Sequence, residues 1–350
     1  TLYISSLGDG IYKTKDEGGS WKKVNHGLGT LRIDLIAVST DSDDMVLAAG
    51  AGKGLYITYN GGASWTSVPG IKGKVTAMAP FSRAEKNLIV GDDRGALFAS
   101  DDGGYNWKKL TSIYEGGAIR SIAVATDPTA GRILFVGTEK QGIYKITAQS
   151  GAPVEINRGI SDKSILSIAL SPGFPADATL YASTWRKGVF RSQDGGKSWK
   201  KYSEGLTTNA QADRPRFRRP HFSALKIVNG PAPHKTLFLC GFNGLFTRVD
   251  REKEVWEEIE TLSTAIVEGL DISPDYGNDS QIVISTYLQG PHISRNGGVT
   301  WEPINKGFIN HKHPERNIRI FEILFSPTYR DDRALFVTSW NHLWRSTNSG

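Results

Sequence analysis

The stretch Gly188-Val-Phe-Arg-Ser-Gln-Asp-Gly-Gly-Lys-Ser-Trp199 decides the fold, because close copies of it recur along the 350-residue chain. Each copy has a glycine, a short apolar run and then the phrase Ser/Thr-x-Asp/Asn-x-Gly-x-Ser/Thr-Trp. Good copies begin at Gly10, Gly54, Gly95 and Gly290, and weaker ones begin at Gly142, Gly244 and Leu343. The tryptophans that end the copies recur with a period of about 44 residues. A period of that length is typical of stacked supersecondary units.

Each period contains four short apolar segments separated by turn residues. In the clearest copy they are Ile165–Pro172, Thr179–Trp185, Gly188–Gln193 and Ser198–Ser203. Their alternation and their β-branched and aromatic content indicate strands. The 39 glycines and the 10% aromatic content of the chain agree with a structure of turns and strands. The sequence therefore predicts an all-β fold, a β-propeller of four-stranded antiparallel blades.

The number of blades follows from the pairs of second and third strands. Such pairs are predicted at 1–14, 46–58, 87–100, 132–146, 179–192, 236–248, 281–294 and 334–346. We expect eight blades in a single domain over 1–350, with seven as the alternative. The first copy lacks its innermost strand and the last lacks its outermost, so both chain ends are expected inside blades.

The repeated phrase resembles that of the Asp-box, or BNR-repeat, propellers. This group includes sialidases, sortilin-type receptors, xyloglucan-active hydrolases and photosystem II assembly factors. The resemblance covers essentially the whole chain and implies that the box is a structural hairpin between the third and fourth strands, remote from the ligand face. It does not imply one activity, since a common fold hosts many functions.

The chemistry of the box residues favours the same structural role. A short Asp or Asn side chain accepts hydrogen bonds from backbone amides just ahead, the paired glycines supply positive φ, and the tryptophan covers the turn. Asn replaces Asp in two copies, which suits a hydrogen-bond acceptor but not a catalytic or metal-binding carboxylate. The box residues assigned this role are Asp16, Trp21, Asn60, Trp65, Asp102, Trp107, Asp194, Trp199, Asn296 and Trp301.

Function is expected at the opposite edge of the blades, which carries the turns between second and third strands and the links between blades. Two links are much longer than the others, and long loops in an economical repeat are more often functional than filler. They contribute the candidate ligand-binding residues Arg214, Arg216, Arg218, Arg219, His311, His313 and Arg316. Guanidinium groups suit carboxylate, phosphate or sulfate, although a basic loop is also compatible with a solvated surface.

The turns of the same blades add aromatic side chains where other blades carry small or charged residues. The candidates are Trp185 with the adjacent Arg186, Phe242, Tyr287 and Trp340. Flat aromatic rings beside cations can stack on sugar rings or anchor a protein partner. Each ring taken alone is as compatible with packing against a neighbouring blade.

A glycoside hydrolase acting on a polysaccharide is the alternative hypothesis. Four acidic residues, Asp34, Glu268, Asp271 and Glu322, lie on predicted innermost strands, and pairs of carboxyl groups carry out glycoside hydrolysis. Acidic residues at such positions also neutralise arginines. His311 and His313 lack a visible third ligand, so the sequence predicts no metal site and no cofactor.

The leading hypothesis is a non-catalytic binding module or scaffold that recognises an anionic protein segment or an acidic glycan. The formal net charge of +6 fits an anionic partner, and nothing in the sequence specifically favours nucleic acid. No apolar run is long enough to span a membrane. A single cysteine, Cys240, suits an extracellular or periplasmic protein. A scaffold domain of a larger protein is a third hypothesis.

Overall fold

The structure is a computed structural model that describes residues 1–6, 8–113, 117–206, 222–229, 235–242, 244–250, 255–262, 265–287, 289–306, 320–339 and 343–350. The chain divides into two compact units. The first contains 1–158, 163–168 and 195–198, and the second contains 159–162, 169–194 and 199–350. No helix in these described ranges is long and apolar enough to cross a membrane.

The first unit contains four antiparallel sheets whose strands follow chain order. The first sheet has β1 (Leu2–Ser6), β2 (Gly10–Thr14) and β3 (Lys22–Lys23). The second has β4 (Ile33–Ser39), β5 (Ser42–Gly50), β6 (Gly54–Thr58) and β7 (Thr66–Ser67). The third has β8 (Val75–Met78), β9 (Leu88–Asp92), β10 (Ala96–Ser100) and β11 (Lys108–Ser112). The fourth has β12 (Ile119–Asp127), β13 (Gly131–Thr138), β14 (Ile143–Thr147) and β15 (Val154–Glu155).

The second unit contains most of the fifth sheet and all of the last three. The fifth has β16 (Ile165–Leu170), β17 (Leu180–Thr184), β18 (Gly188–Ser192) and β19 (Lys200–Lys201). The sixth has β20 (Phe222–Asn229), β21 (Lys235–Gly241), β22 (Gly244–Val249) and β23 (Glu257–Glu258). The seventh has β24 (Val267–Ile272), β25 (Ile282–Thr286), β26 (His292–Ser294) and β27 (Glu302–Pro303), and the eighth has β28 (Ile320–Phe325), β29 (Leu335–Ser339) and β30 (Leu343–Ser346). The described helices are single turns, α1 (Tyr276–Asp279), α2 (Tyr329–Asp332) and a 3-10 turn at Glu260–Leu262.

These eight sheets confirm the predicted fold class, an all-β, eight-bladed β-propeller, rather than the seven-bladed alternative. Six described sheets have four strands and two have three. As predicted, the first sheet begins at its second strand and the last described strand of the eighth sheet is its third. The single-domain organisation over 1–350 stays a prediction.

Burial explains why the second strands read as continuous apolar or small-residue runs. Every residue of β9, β17 and β25 is buried. Apolar side chains of the neighbouring sheets cover both faces of β9 and of β25. The outermost strands β3, β7 and β19 are exposed throughout. Apolar side chains of adjacent sheets form a layer between them, and Leu47 and Val90 pack in such a layer between the second and third sheets. These layers hold the turns at the two edges of each sheet in place.

Candidate functional site

The box hairpins are closed by side-chain hydrogen bonds within five residues of chain. In the first sheet the Thr14 hydroxyl donates to Asp16 Oδ1 at 2.6 Å, and the Ser20 backbone N–H donates to the same oxygen at 2.9 Å. The Gly18 N–H donates to Thr14 Oγ1 at 2.9 Å. The carboxylate of Asp16 is therefore used inside its own turn, between the third and fourth strands.

The same geometry recurs with either acid or amide at the central position. Backbone N–H groups donate at 2.9 Å to Asp102 Oδ1 and at 3.0 Å to Asn60 Oδ1, and Asn296 accepts the equivalent bond at 2.9 Å. In the fifth sheet the Ser192 hydroxyl donates to Asp194 Oδ1 at 2.8 Å. Hydrogen bonds from the backbone and side chain of Asn106 lower the pKa of Asp102 to about 2. The negative charge is not required for this backbone bond, since Asn60 and Asn296 accept it as well.

The box tryptophans occupy two kinds of environment. Trp65 and Trp199 are buried, and Trp65 Nε1 donates at 2.6 Å to the carbonyl of Val24 in the preceding sheet. Trp107 and Trp301 are half-buried and donate instead to Gly104 and Gly298 of their own turns, at 2.9 Å and 3.0 Å. Trp21 is also half-buried. The indole of a box tryptophan therefore bonds either to the preceding sheet or to its own turn.

At the other edge of the sheets, a threonine holds the turn between second and third strands. Thr184 Oγ1 donates to the Gly188 carbonyl at 3.0 Å, and Thr286 Oγ1 donates to the Gly290 carbonyl at 2.8 Å. The residue that follows each threonine is Trp185 in the fifth sheet and Tyr287 in the seventh. The turn geometry therefore presents both aromatic side chains at equivalent positions.

We call four residues the upper-turn residues: Trp185, Arg186, Phe242 and Tyr287. Trp185 is 43% exposed and Phe242, in the two-residue turn of the sixth sheet, is 41% exposed. Tyr287 is half-buried, and Arg186 is exposed with its backbone N–H donating to Asp162 Oδ2 at 2.6 Å. Because strand order is the same in these sheets, the four residues belong to the same edge of consecutive sheets in the second unit.

The remaining predicted ligand-binding residues fall outside the described residues. They are Arg214, Arg216, Arg218, Arg219, His311, His313, Arg316 and Trp340. Their contribution stays a prediction.

Two of the four candidate catalytic acids are brought together. Asp271 on β24 accepts a hydrogen bond from the Phe325 N–H at 3.0 Å, and Glu322 lies on the neighbouring strand β28. Burial raises the pKa of Asp271. Partial loss of solvent and the charge of Asp271 raise the pKa of Glu322, while Lys226 acts in the opposite direction. Lys226, Asp271 and Glu322 therefore form one electrostatically coupled group.

The other two candidate catalytic acids, Asp34 and Glu268, have different surroundings. Asp34 belongs to the first unit. Its carboxylate forms an ion pair with the ammonium of Lys74 at 3.5 Å. Glu268 lies on β24, three residues before Asp271. In the described part of the chain, no three His, Cys, Asp or Glu side chains are arranged to hold a metal ion.

The structure also shows a partly buried polar group, centred on Asp250, that the sequence did not predict. Asp250 accepts hydrogen bonds from the hydroxyls of Tyr181 and Tyr202, both at 2.6 Å, and from Arg191 at 2.8 Å. These bonds lower the pKa of Asp250 against the opposing effect of burial, the largest single influence on it. The only sequence signal is an acid directly after a strand, because its partners are 48 to 69 positions away.

Comparison with known proteins identifies the fold but not a family. No family model matches the chain. A xyloglucanase from a Paenibacillus species is 26% identical over 196 residues, which is 53% of this chain and 18% of that enzyme. The chain thus spans less than a fifth of this curated relative.

Solved propellers are similar over most of the chain. The GH74 xyloglucanase from Xanthomonas campestris has a TM-score of 0.60 at 15% identity, covering 99% of this chain and 53% of the enzyme. YCF48 from Cyanidioschyzon merolae has a TM-score of 0.56 at 14% identity, covering 91% of this chain and 95% of that protein. YCF48 bound to D1 peptide matches with the same TM-score, 15% identity and 89% and 92% coverage. At these identities the similarity concerns the fold alone.

Proposed function

We propose that the protein is a non-catalytic binding module whose upper-turn residues contact an anionic protein segment or an acidic glycan. The observation that carries the proposal is the exposure of Trp185 and Phe242, above 40% each, in turns of consecutive sheets. Exposed aromatic rings on rigid turns provide large contact area at small entropic cost. The first unit has Ala51 and Asp93 in the turns of its second and third sheets, where no aromatic residue occurs.

Charge supports the anionic character of the partner. Arg186 is exposed beside Trp185, and a guanidinium can form paired hydrogen bonds with a carboxylate or sulfate. We propose that Arg214, Arg216, Arg218 and Arg219 add to this site, together with His311, His313, Arg316 and Trp340. We also propose that the repeats are those of the Asp-box propellers, which the closed Asp and Asn turns support. An extracellular or periplasmic location stays a prediction.

The test is surface plasmon resonance on two immobilised anionic probes, a glutamate–tyrosine copolymer and heparin. Trp185→Ala combined with Phe242→Ala should lower affinity for the bound probe at least tenfold, as expected for central interface anchors. Changing Arg214, Arg216, Arg218 and Arg219 to Ala should lower affinity and reduce its salt dependence. Val299→Ala, which trims a 77% exposed side chain in a box hairpin, is the matched control. Unchanged binding by the aromatic double variant would remove the upper turns from the proposal.

Glycoside hydrolysis is the second candidate function, and Asp271 and Glu322 favour it. Loss of solvent raises the pKa values of both carboxyl groups, and the charge of Asp271 raises the pKa of Glu322 further, so the two groups can share acid and base roles. Similarity to xyloglucanases suggests xyloglucan oligosaccharides as the first substrates to test. Turnover that is lost in Glu322→Gln, Asp271→Asn or Glu268→Gln but kept in Asp34→Asn would support this function. Absence of turnover with sound binding would leave the binding module as the better account.

A further inference from the structure

A groove of about 720 Å³ lies in the first unit, beside the third sheet. It lies where the link between the second and third sheets, at 69–73, does not pack against the box of the third sheet. Gly27, Gly159 and Gly205 each pack so tightly on a box tryptophan that an added Cβ would lie 2.0 to 2.1 Å from the carbonyl oxygen of Trp65, Trp199 or Trp256. Gly70 is the equivalent glycine before the third box, with the same positive φ, and an added Cβ there would meet nothing within 4 Å. The groove occupies this gap.

The outermost strand of the third sheet extends the groove. β11 has five residues, whereas the other described outermost strands, β3, β7, β15, β19, β23 and β27, have two each. Its pairing with β10 shifts at an extra residue, Leu110, so that Lys109 lies opposite Phe98 and Ser112 lies opposite Ala96. Residues directly opposite in antiparallel strands share a face of the sheet. Phe98 and Lys109 therefore border the same groove, and the small pair Ala96 and Ser112 lines it two positions away along β10.

Two aromatic rings form the base of the groove. Phe98 and Trp107 are half-buried and pack against the apolar layer between the second and third sheets. The indole of Trp107 is also held by its 2.9 Å hydrogen bond to Gly104. Because packing and hydrogen bonding already fix these rings, a ligand stacking on them would pay little entropy for ordering the site.

Three cations line the groove: Lys72, Arg94 and Lys109. Within the described residues none of the three has a carboxylate oxygen within 4 Å, whereas the nearby Lys74 and Lys108 are paired with Asp34 and Asp101. One acid, Asp92, also borders the groove. Its Oδ1 accepts the backbone N–H groups of Arg94 at 3.0 Å and Ala96 at 2.7 Å. The lining thus keeps a net positive charge of +2, three cations against one carboxylate.

We propose that this groove binds a sugar ring that carries a carboxylate, sulfate or phosphate group. The ring stacks on Phe98 and Trp107, and the anionic group contacts Lys72, Arg94 and Lys109. The volume is in the range of about 300–1,000 Å³ that is usual for small ligands. A standard protein interface involves roughly 20–30 residues on each partner. Eleven described residues line this groove, which favours a small ligand such as a saccharide. The groove shares no residue with the upper turns, because all its residues belong to the first unit and the upper-turn residues belong to the second.

The test is isothermal titration calorimetry of the full chain with digalacturonate, a sulfated heparin disaccharide and glucose 6-phosphate, and with cellobiose as the neutral comparison. At least one anionic sugar should bind, more weakly as salt rises, and cellobiose should bind much less. Arg94→Gln and Lys109→Gln should each lower affinity about tenfold, the effect of losing one charge-assisted hydrogen bond.

Lys108→Gln is the matched control, because it removes the same charge from the adjacent residue of β11, which pairs with Ala99 on the other face of the sheet. It should leave affinity unchanged, as should the Trp185→Ala, Phe242→Ala double variant, which separates this site from the upper turns. Circular dichroism checks that each variant is folded. Absence of binding by all three anionic sugars, or equal losses in Lys108→Gln and Lys109→Gln, would overturn the proposal.

Discussion

Asn305 Oδ1 is buried against Gly290, the residue before Pro291, and has no hydrogen-bond donor among the described residues. In the first and fourth sheets the equivalent Asn25 and Asn157 accept the backbone N–H groups of Ile11 and Ile143, both at 2.7 Å. Proline has no N–H to donate, so this repeated bond is missing in the seventh sheet. The Asn305 amide still donates to Gln289 at 3.2 Å, which keeps the side chain in its usual orientation.

Replacing Pro291 by Ile, the residue at the equivalent positions 11 and 143, should restore the missing bond. One such bond contributes about 1 kcal/mol to the free energy of unfolding. Because proline also restricts the unfolded chain, the single substitution mixes two effects. A double-mutant cycle with Asn305→Ala, followed by urea unfolding, isolates the bond as a coupling free energy of about 1 kcal/mol. A coupling near zero would show that Asn305 does not accept the restored N–H.

Asp102→Asn should lower the free energy of unfolding by less than about 1 kcal/mol, since Asn60 and Asn296 accept the same backbone hydrogen bond and only the bond from the Asn106 amide to Asp102 Oδ2 is lost. Asp102→Ala should cost about 1–2 kcal/mol, because the Asn106 N–H and the Ser100 hydroxyl lose their acceptor. Urea unfolding measures both variants, with Asp93→Ala as a control in the turn at the opposite edge. Equal losses in the Asn and Ala variants would mean that the charge, not the acceptor, stabilises the hairpin.

The ionised Asp250 and its hydrogen-bond donors should make the free energy of unfolding depend on pH. The folded pKa of Asp250 is lowered, so its contribution is complete above the unfolded value of about 3.9 and is lost as pH falls through the folded value. Asp250→Asn should cost about 3 kcal/mol at pH 7, because the charged partner Arg191 stays partly buried. The difference from the wild type should shrink by pH 3 in chemical unfolding. A difference that is constant with pH would argue against an ionised Asp250.

The contribution of Asp271 to the free energy of unfolding should change with pH in the opposite direction. Its folded pKa is raised by burial, so ionisation above the unfolded value of about 3.9 costs stability until pH passes the folded value. Asp271→Asn should therefore stabilise the protein at pH 7, by on the order of 1 kcal/mol for each unit of pKa shift, and lose this advantage at pH 4. Asp331→Asn, at an exposed acid, is the control. Destabilisation at pH 7 would show that Lys226 and the Phe325 N–H favour the charged form.

The repeat predicted the sheets closely. The predicted strand pair 179–192 corresponds to β17 and β18 at Leu180–Ser192, and 281–294 corresponds to β25 and β26 at Ile282–Ser294. These hairpins could be recognised because their turn bonds join residues four positions apart, as Thr184 and Gly188 do. The exposure of Trp185 could not be predicted in this way, since a ring in such a turn is equally compatible with packing on a neighbouring sheet.

The amino-acid order by itself determined the number of sheets, their strand order and the hairpins, because each depends on contacts within one repeat of about 44 residues. Only the tertiary structure decided which side chains of different repeats meet. The bonds of Asp250 to Tyr181 and Tyr202 span 69 and 48 positions, and Asp271 reaches the Phe325 amide 54 positions away. The gap beside Gly70 depends on how one link sits against the next sheet. Such contacts arise from face-to-face packing and strand register, which a local sequence pattern does not specify.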